Sequence, residues 1–213
     1  DFDLIVGSTS GDLHYFQNVG TTSSPNFAAV QVNPFSITSI GFRCSPSFVD
    51  LDNDGDLDLL VGEANGNVNY FENTGTSSSP SFGTVQTNPF SIANVGGSSS
   101  PVAHDMDGDG DYDLLVGEYG DFKYFTNTGT VTNPSFGPMQ TNPFGLTTEY
   151  EGEPGPSIGD MDGDGDMDIL AGSYSGNFLY YKNIGTNSNP SFVTNQINLF
   201  SLAPVNGSRN SKP

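Results

Sequence analysis

A chain of 213 residues with 25 acidic and only 5 basic side chains carries a formal charge of −20 at neutral pH. That excess excludes nucleic acid as a partner and disfavours anionic membrane surfaces, and no apolar run approaches the roughly 20 residues of a membrane-spanning helix. Cys44 is the single cysteine, so an internal disulfide is excluded as well.

The chain opens on Asp1-Phe2-Asp3-Leu4-Ile5-Val6-Gly7, which aligns with Asp56-Leu57-Asp58-Leu59-Leu60-Val61-Gly62 at an offset of 55. From there the same landmarks recur: an apolar run ending in Gly, an aromatic pair, an Asn-x-Gly-Thr turn, a Pro-x-Phe, and an Asn-Pro-Phe or a variant of it. Tyr15-Phe16, Tyr70-Phe71, Tyr124-Phe125 and Tyr180-Tyr181 mark the aromatic pair in four copies. This periodicity predicts one repeat array over 1–213, with an incomplete repeat over 1–45 and further repeats over 46–100, 101–155 and 156–213.

Within one repeat, Pro46–Val49 reads as a strand and Leu59–Val61 as a second strand buried on both faces. A hairpin through Gly62-Glu63-Ala64-Asn65-Gly66 leads to a third strand over Val68–Phe71. Turn chemistry then predominates from Asn73 to Pro80, and Phe82–Gln86 is expected to be a fourth, outer strand. The third repeat is one residue shorter between Gly117 and Gly120 and regains it over 149–156, as loops allow and paired strands do not. The prediction is an all-β fold of tandem four-stranded, blade-like repeats of about 55 residues, β-propeller in type. A partial ring or open array is expected, the alternative being a closed four-bladed propeller.

Between the first two strands of each complete repeat lies a nine-residue loop with five carboxylates. The three copies are Asp50, Asp52, Asp54, Asp56 and Asp58; Asp105, Asp107, Asp109, Asp111 and Asp113; and Asp160, Asp162, Asp164, Asp166 and Asp168. So many like charges repel unless a cation joins them, and alternate Asp residues followed by Gly suit Ca²⁺, which takes six to eight oxygens. Positions one, three, five and nine are expected to supply side chains and position seven its carbonyl, with Gly55, Gly110 and Gly165 allowing the turn. An EF-hand would need a Glu at position twelve, where this chain has Val61, Val116 and Ala171. Three Ca²⁺ sites are expected, with a fourth truncated to Asp1 and Asp3.

Few other residues suggest chemistry. His14 and His104 read as packing or surface positions, and Glu63 and Glu118 sit on separate repeats rather than converging across a cleft. Cys44 aligns with Ser99, which favours an ordinary loop residue. Asn206-Gly207-Ser208 is the one sequon free of proline, a candidate for glycosylation. No nucleophile, base and oxyanion constellation can be assembled, and no enzyme is expected.

The string from Asp50 to Gly62, repeated over Asp105–Gly117 and Asp160–Gly172, resembles the FG-GAP/VCBS repeat. This is the blade unit of integrin α-subunit-like propellers and of many large secreted microbial proteins. The resemblance implies one Ca²⁺ per loop, an extracellular or cell-surface location, and a role in adhesion or surface and filament assembly, with glycan or protein recognition in a lectin-like manner as the alternative. Because the first repeat lacks its innermost strand, its partner is expected to be another copy of the chain or further repeats of a longer one.

Overall fold

The computed structural model describes residues 2–147, 152, 154–173, 176–197, 199 and 202–204; Asp1 and the sequon at Asn206 lie outside them. Four antiparallel sheets follow one another along the chain as the blades of a β-propeller. The first has three strands, β1 (Leu4–Gly7), β2 (Leu13–Phe16) and β3 (Gln31–Val32). The second has β4 (Ser45–Val49), β5 (Asp58–Gly62), β6 (Val68–Phe71) and β7 (Gln86–Thr87). The third has β8 (Ser100–His104), β9 (Asp113–Glu118), β10 (Asp121–Phe125) and β11 (Gln140–Thr141), and the fourth β12 (Gly155–Gly159), β13 (Asp168–Gly172), β14 (Phe178–Asn183) and β15 (Phe192–Ile197). Among the described residues the only helical segment is a three-residue 3-10 turn at Pro143–Gly145.

Each blade is a meander in sequence order, so β4, β8 and β12 are innermost, and among the described residues the first blade has no counterpart to them. These three strands pack against one another in succession, with the Ser45 and Ser100 hydroxyls 3.1 Å apart. The second strand of each complete blade is covered on both sides, which is why its apolar residues run without alternation. Leu59 and Val61 face the first blade, together with Phe71 and Phe82. Leu60, Val68 and Tyr70 meet Leu114, Val116 and Phe125 of the third blade. Leu115, Phe122 and Tyr124 meet Ile169, Ala171 and Tyr181 of the fourth. Each such fully buried side chain contributes about 2 kcal/mol of transfer free energy. Three inter-blade cores thus join four blades, and among the described residues none joins the fourth to the first.

The outer strand is shorter than Phe82–Gln86. Only Gln86–Thr87 pairs with β6, while Phe82 forms an isolated bridge to Asn73. The reason is that the Phe82 amide donates to the carbonyl of Phe35 in the preceding blade at 3.0 Å, as Phe136 does to Phe90 at 2.8 Å. This gives the Asn-Pro-Phe landmark its purpose. Asn33, Asn88 and Asn142 accept from the amides of Leu13, Val68 and Phe122, each at 2.8 Å, pinning the turn to the third strand of the blade, or to β2 in the first. Phe35, Phe90 and Phe144 then stand edge-on to Tyr15, Tyr70 and Tyr124, with ring centroids 5.0 to 5.2 Å apart.

The Gly that ends the apolar run in each of the first three blades also has a specific cause. A Cβ on Gly7, Gly62 or Gly117 would overlap the carbonyl oxygen of Cys44, Ser99 or Pro154, at the start of the next blade's innermost strand. Blade spacing therefore depends on a missing side chain. Gly62→Ala is expected to destabilise the chain by about 2 kcal/mol or more through overpacking, read as a lower urea midpoint. Cys44 is buried, and its thiol reaches the carbonyls of Ser8 and Asp12 at 3.4 and 3.3 Å. The Ser99 hydroxyl makes the equivalent pair of bonds one blade on, to Glu63 and Asn67.

Candidate metal centres

The three Asp-rich loops join β4 to β5, β8 to β9 and β12 to β13, so they lie at the end of the blades opposite the hairpins. Each is folded by its own carboxylates. Asp50, Asp105 and Asp160 accept from the amides of Gly55, Gly110 and Gly165, each at 3.1 Å. Asp54, Asp109 and Asp164 accept from the amides two residues on, again at 3.1 Å. The Gly residues turn with φ of 98°, 98° and 94°, a region that side chains disfavour.

This folding brings carboxylates together. Oxygens of Asp50, Asp52 and Asp54 lie within 4.8 Å of one another, as do those of Asp105, Asp107 and Asp109, whereas in the third loop the group is Asp160, Asp162 and Asp168. Burial first, and then the charge at position five, hold Asp52 and Asp107 above the usual carboxylate range. Asp56 and Asp111 are raised by the same two causes. Position seven, expected to contribute its carbonyl, therefore also brings its side chain into the field of the cluster.

The oxygens Oδ1 of Asp52, Asp56 and Asp111 are buried without a hydrogen-bond partner, and Asp111 as a residue is only 8% exposed. Leaving a buried carboxylate oxygen unpaired is costly. An all-oxygen, strongly anionic cluster with unused acceptors fits a hard divalent cation.

Position nine does something the spacing did not reveal. Asp58 accepts from the Tyr70 hydroxyl at 2.8 Å and the Leu51 amide at 3.2 Å through Oδ2, and from the Asn73 amide at 2.8 Å through Oδ1. Asp113 does the same with Tyr124, Met106 and Asn127, and Asp168 with Tyr180, Met161 and Asn183. Asp3 holds Tyr15 and Asn18 in the first blade, where Asp1 lies outside the described residues. The Asn side chains continue the chain of bonds: Asn73 accepts from the Gly75 and Ser81 amides at 3.1 and 3.0 Å, closing the Asn-x-Gly-Thr turn. The ninth carboxylate is thus a buried strut from loop to outer turn, and three of its roughly four acceptor sites are used by the protein. Its partners were visible in the sequence only as the recurring Tyr and Asn.

Burial pushes Asp58 and Asp113 up to about 6. In the unfolded chain the same carboxyls titrate near 3.9, so between about pH 4 and 6 the folded state holds protons that the unfolded state has released. Stability then falls as pH rises through this window. The metal-free protein is expected to have a higher urea midpoint at pH 5 than at pH 7, and the opposite order would contradict this assignment.

Of the other candidates, Glu63 is buried and accepts from the backbone and side-chain amides of Asn65 and Asn67, so it shapes the hairpin. Glu118 pairs with Lys123 at 3.7 Å. His104 is held below the usual imidazole range by burial. No helix among the described residues is long and apolar enough to cross a membrane.

The family described as FG-GAP-like repeat matches residues 1–61, 50–116 and 105–171, each match running from one Asp-rich segment into the strand after the next. No curated protein matches the chain. Among solved structures, a Tc holotoxin pore of Photorhabdus luminescens is similar over 98% of this chain at 14% identity, with a TM-score of 0.34. The present chain spans 12% of that one. With three matches that together cover most of its length, the chain belongs to the FG-GAP-like repeat family.

Proposed function

We propose that this chain is a calcium-stabilised extracellular repeat scaffold that takes part in adhesion or in surface or filament assembly. Ca²⁺ in each loop would offset the repulsion among carboxylates and couple cation binding to folding. In this reading the repeats carry out no catalysis of their own.

The observation that carries the assembly role is the leading face of the first blade. Leu4, Val6 and Phe27 are 45%, 43% and 46% exposed, while their counterparts Leu59, Val61 and Phe82 are 0%, 0% and 5% exposed. The same face is buried by the preceding blade in the second, third and fourth blades, so its natural occupant is another blade of this type, supplied by a further copy of the chain or by further repeats of a longer one. Sedimentation in millimolar Ca²⁺ tests the first of these sources. Concentration-dependent association that Leu4→Asp abolishes is expected. A monomer at every concentration would overturn the second copy as occupant.

A recognition role is favoured by Phe42 and Tyr119, which are 58% and 65% exposed near the hairpin end of the blades. Binding on a glycan array that Tyr119→Ala removes would support that second reading over a passive scaffold.

A further inference from the structure

The third loop is met by a lysine from a neighbouring strand of its blade. Lys182 follows the aromatic pair on β14, and its ammonium donates to Asp164 Oδ2 at 2.9 Å and also to Asp162 Oδ2. The equivalent positions after the aromatic pair are Gln17, Glu72 and Thr126, so no other blade places a cation there.

We infer that Lys182 is a built-in competitor for the cation at the third loop, so that the loop starting at Asp160 takes a divalent cation more weakly than those starting at Asp50 and Asp105. This rests on the calcium reading above. Two further differences accompany the lysine. Where the first two loops gather positions one, three and five, the third gathers one, three and nine, leaving out Asp164, one of the two carboxylates that Lys182 holds. Buried, unpartnered carboxylate oxygens occur in the first and second loops and, among the described residues, not in the third.

A lysine ammonium has three donors and no acceptor on a flexible stem, so it can neutralise two carboxylates but cannot ligate a metal beside them. A cation entering this loop must displace it or share its carboxylates. The Lys182 side chain is 37% exposed, which leaves it room to swing into solvent, so the device weakens the site without closing it. The three loops would then fill in two stages, the third responding to cation concentrations at which the others are already occupied.

Calorimetric titration of the whole chain with Ca²⁺ provides the test. Two tighter sites and one weaker by about two- to fivefold are expected, the range set by the strength of a partly exposed ion pair. Asp160→Asn should remove the weaker class. Lys182→Thr should bring the third site up to the other two, and Thr126→Lys should weaken the second loop by a similar factor. Three equal sites in the unaltered chain, or a weak site unmoved by Lys182→Thr, would overturn this inference and leave the calcium reading standing. No uptake by any loop would overturn both.

Discussion

Chelation of divalent cations is expected to lower the melting temperature by about 6 to 12 °C relative to the protein in 1 mM Ca²⁺. With affinities at the tighter end of extracellular modules, about 10⁻⁴ M, each filled site adds about 1.4 kcal/mol through mass action, or about 3 kcal/mol for the first two loops. For a chain of this size 1 kcal/mol corresponds to about 2 to 4 °C. The expected effect follows because each loop joins two strands of one blade, and a cation would offset the repulsion among carboxylates crowded within 4.8 Å. Scanning calorimetry in EDTA and in Ca²⁺ provides the comparison. Superimposable curves would show that the loops need no cation, and the unpaired oxygens of Asp52, Asp56 and Asp111 would then require another partner.

The second large effect separates struts from ligands. Asp113→Ala removes the acceptor for the Tyr124 hydroxyl and for the amides of Met106 and Asn127, all within the third blade. Stranding buried donors costs about 1 to 3 kcal/mol each, and with partial relaxation the total is expected to be about 3 to 5 kcal/mol, with or without Ca²⁺. Asp109→Asn alters an exposed carboxylate in the same loop and is expected to change stability by less than about 0.5 kcal/mol in EDTA, while removing that loop's gain from Ca²⁺. Urea unfolding of both variants in both conditions distinguishes the roles. If Asp113→Ala proved no more harmful than Asp109→Asn in EDTA, position nine would be an ordinary ligand and the strut assignment would fail.

In the first two loops the acidic group and the strut lie four residues apart, whereas in the third Asp168 belongs to both, a division that sequence spacing alone does not reveal. All five Asp residues of a loop recur at nearly the same interval, and so do the Tyr and Asn that hold the ninth. Periodicity shows which residues return together but not which of them touch. The same limit explains the outer strand. Phe82–Gln86 has the composition of a strand, yet the Phe82 amide is taken by Phe35 of the preceding blade, and a contact 47 residues away leaves no trace in local pattern.

What the sequence by itself determined is local: the repeat period, the three inner strands of each complete blade, the Asp-rich loops and their Gly turns. These follow from neighbouring residues, where alternation, turn propensity and charge density act over a few positions. Only the tertiary structure decided how one blade sits against the next. It showed why the apolar runs of the first three blades end in Gly, since a side chain on Gly7, Gly62 or Gly117 would strike the following blade. It turned the ninth Asp into a strut and placed Lys182 over the third loop, 18 and 20 residues from the carboxylates it meets. The physical reason is that a repeat specifies the unit, whereas rotation and spacing between units arise from steric fit and bonds between residues distant in the chain.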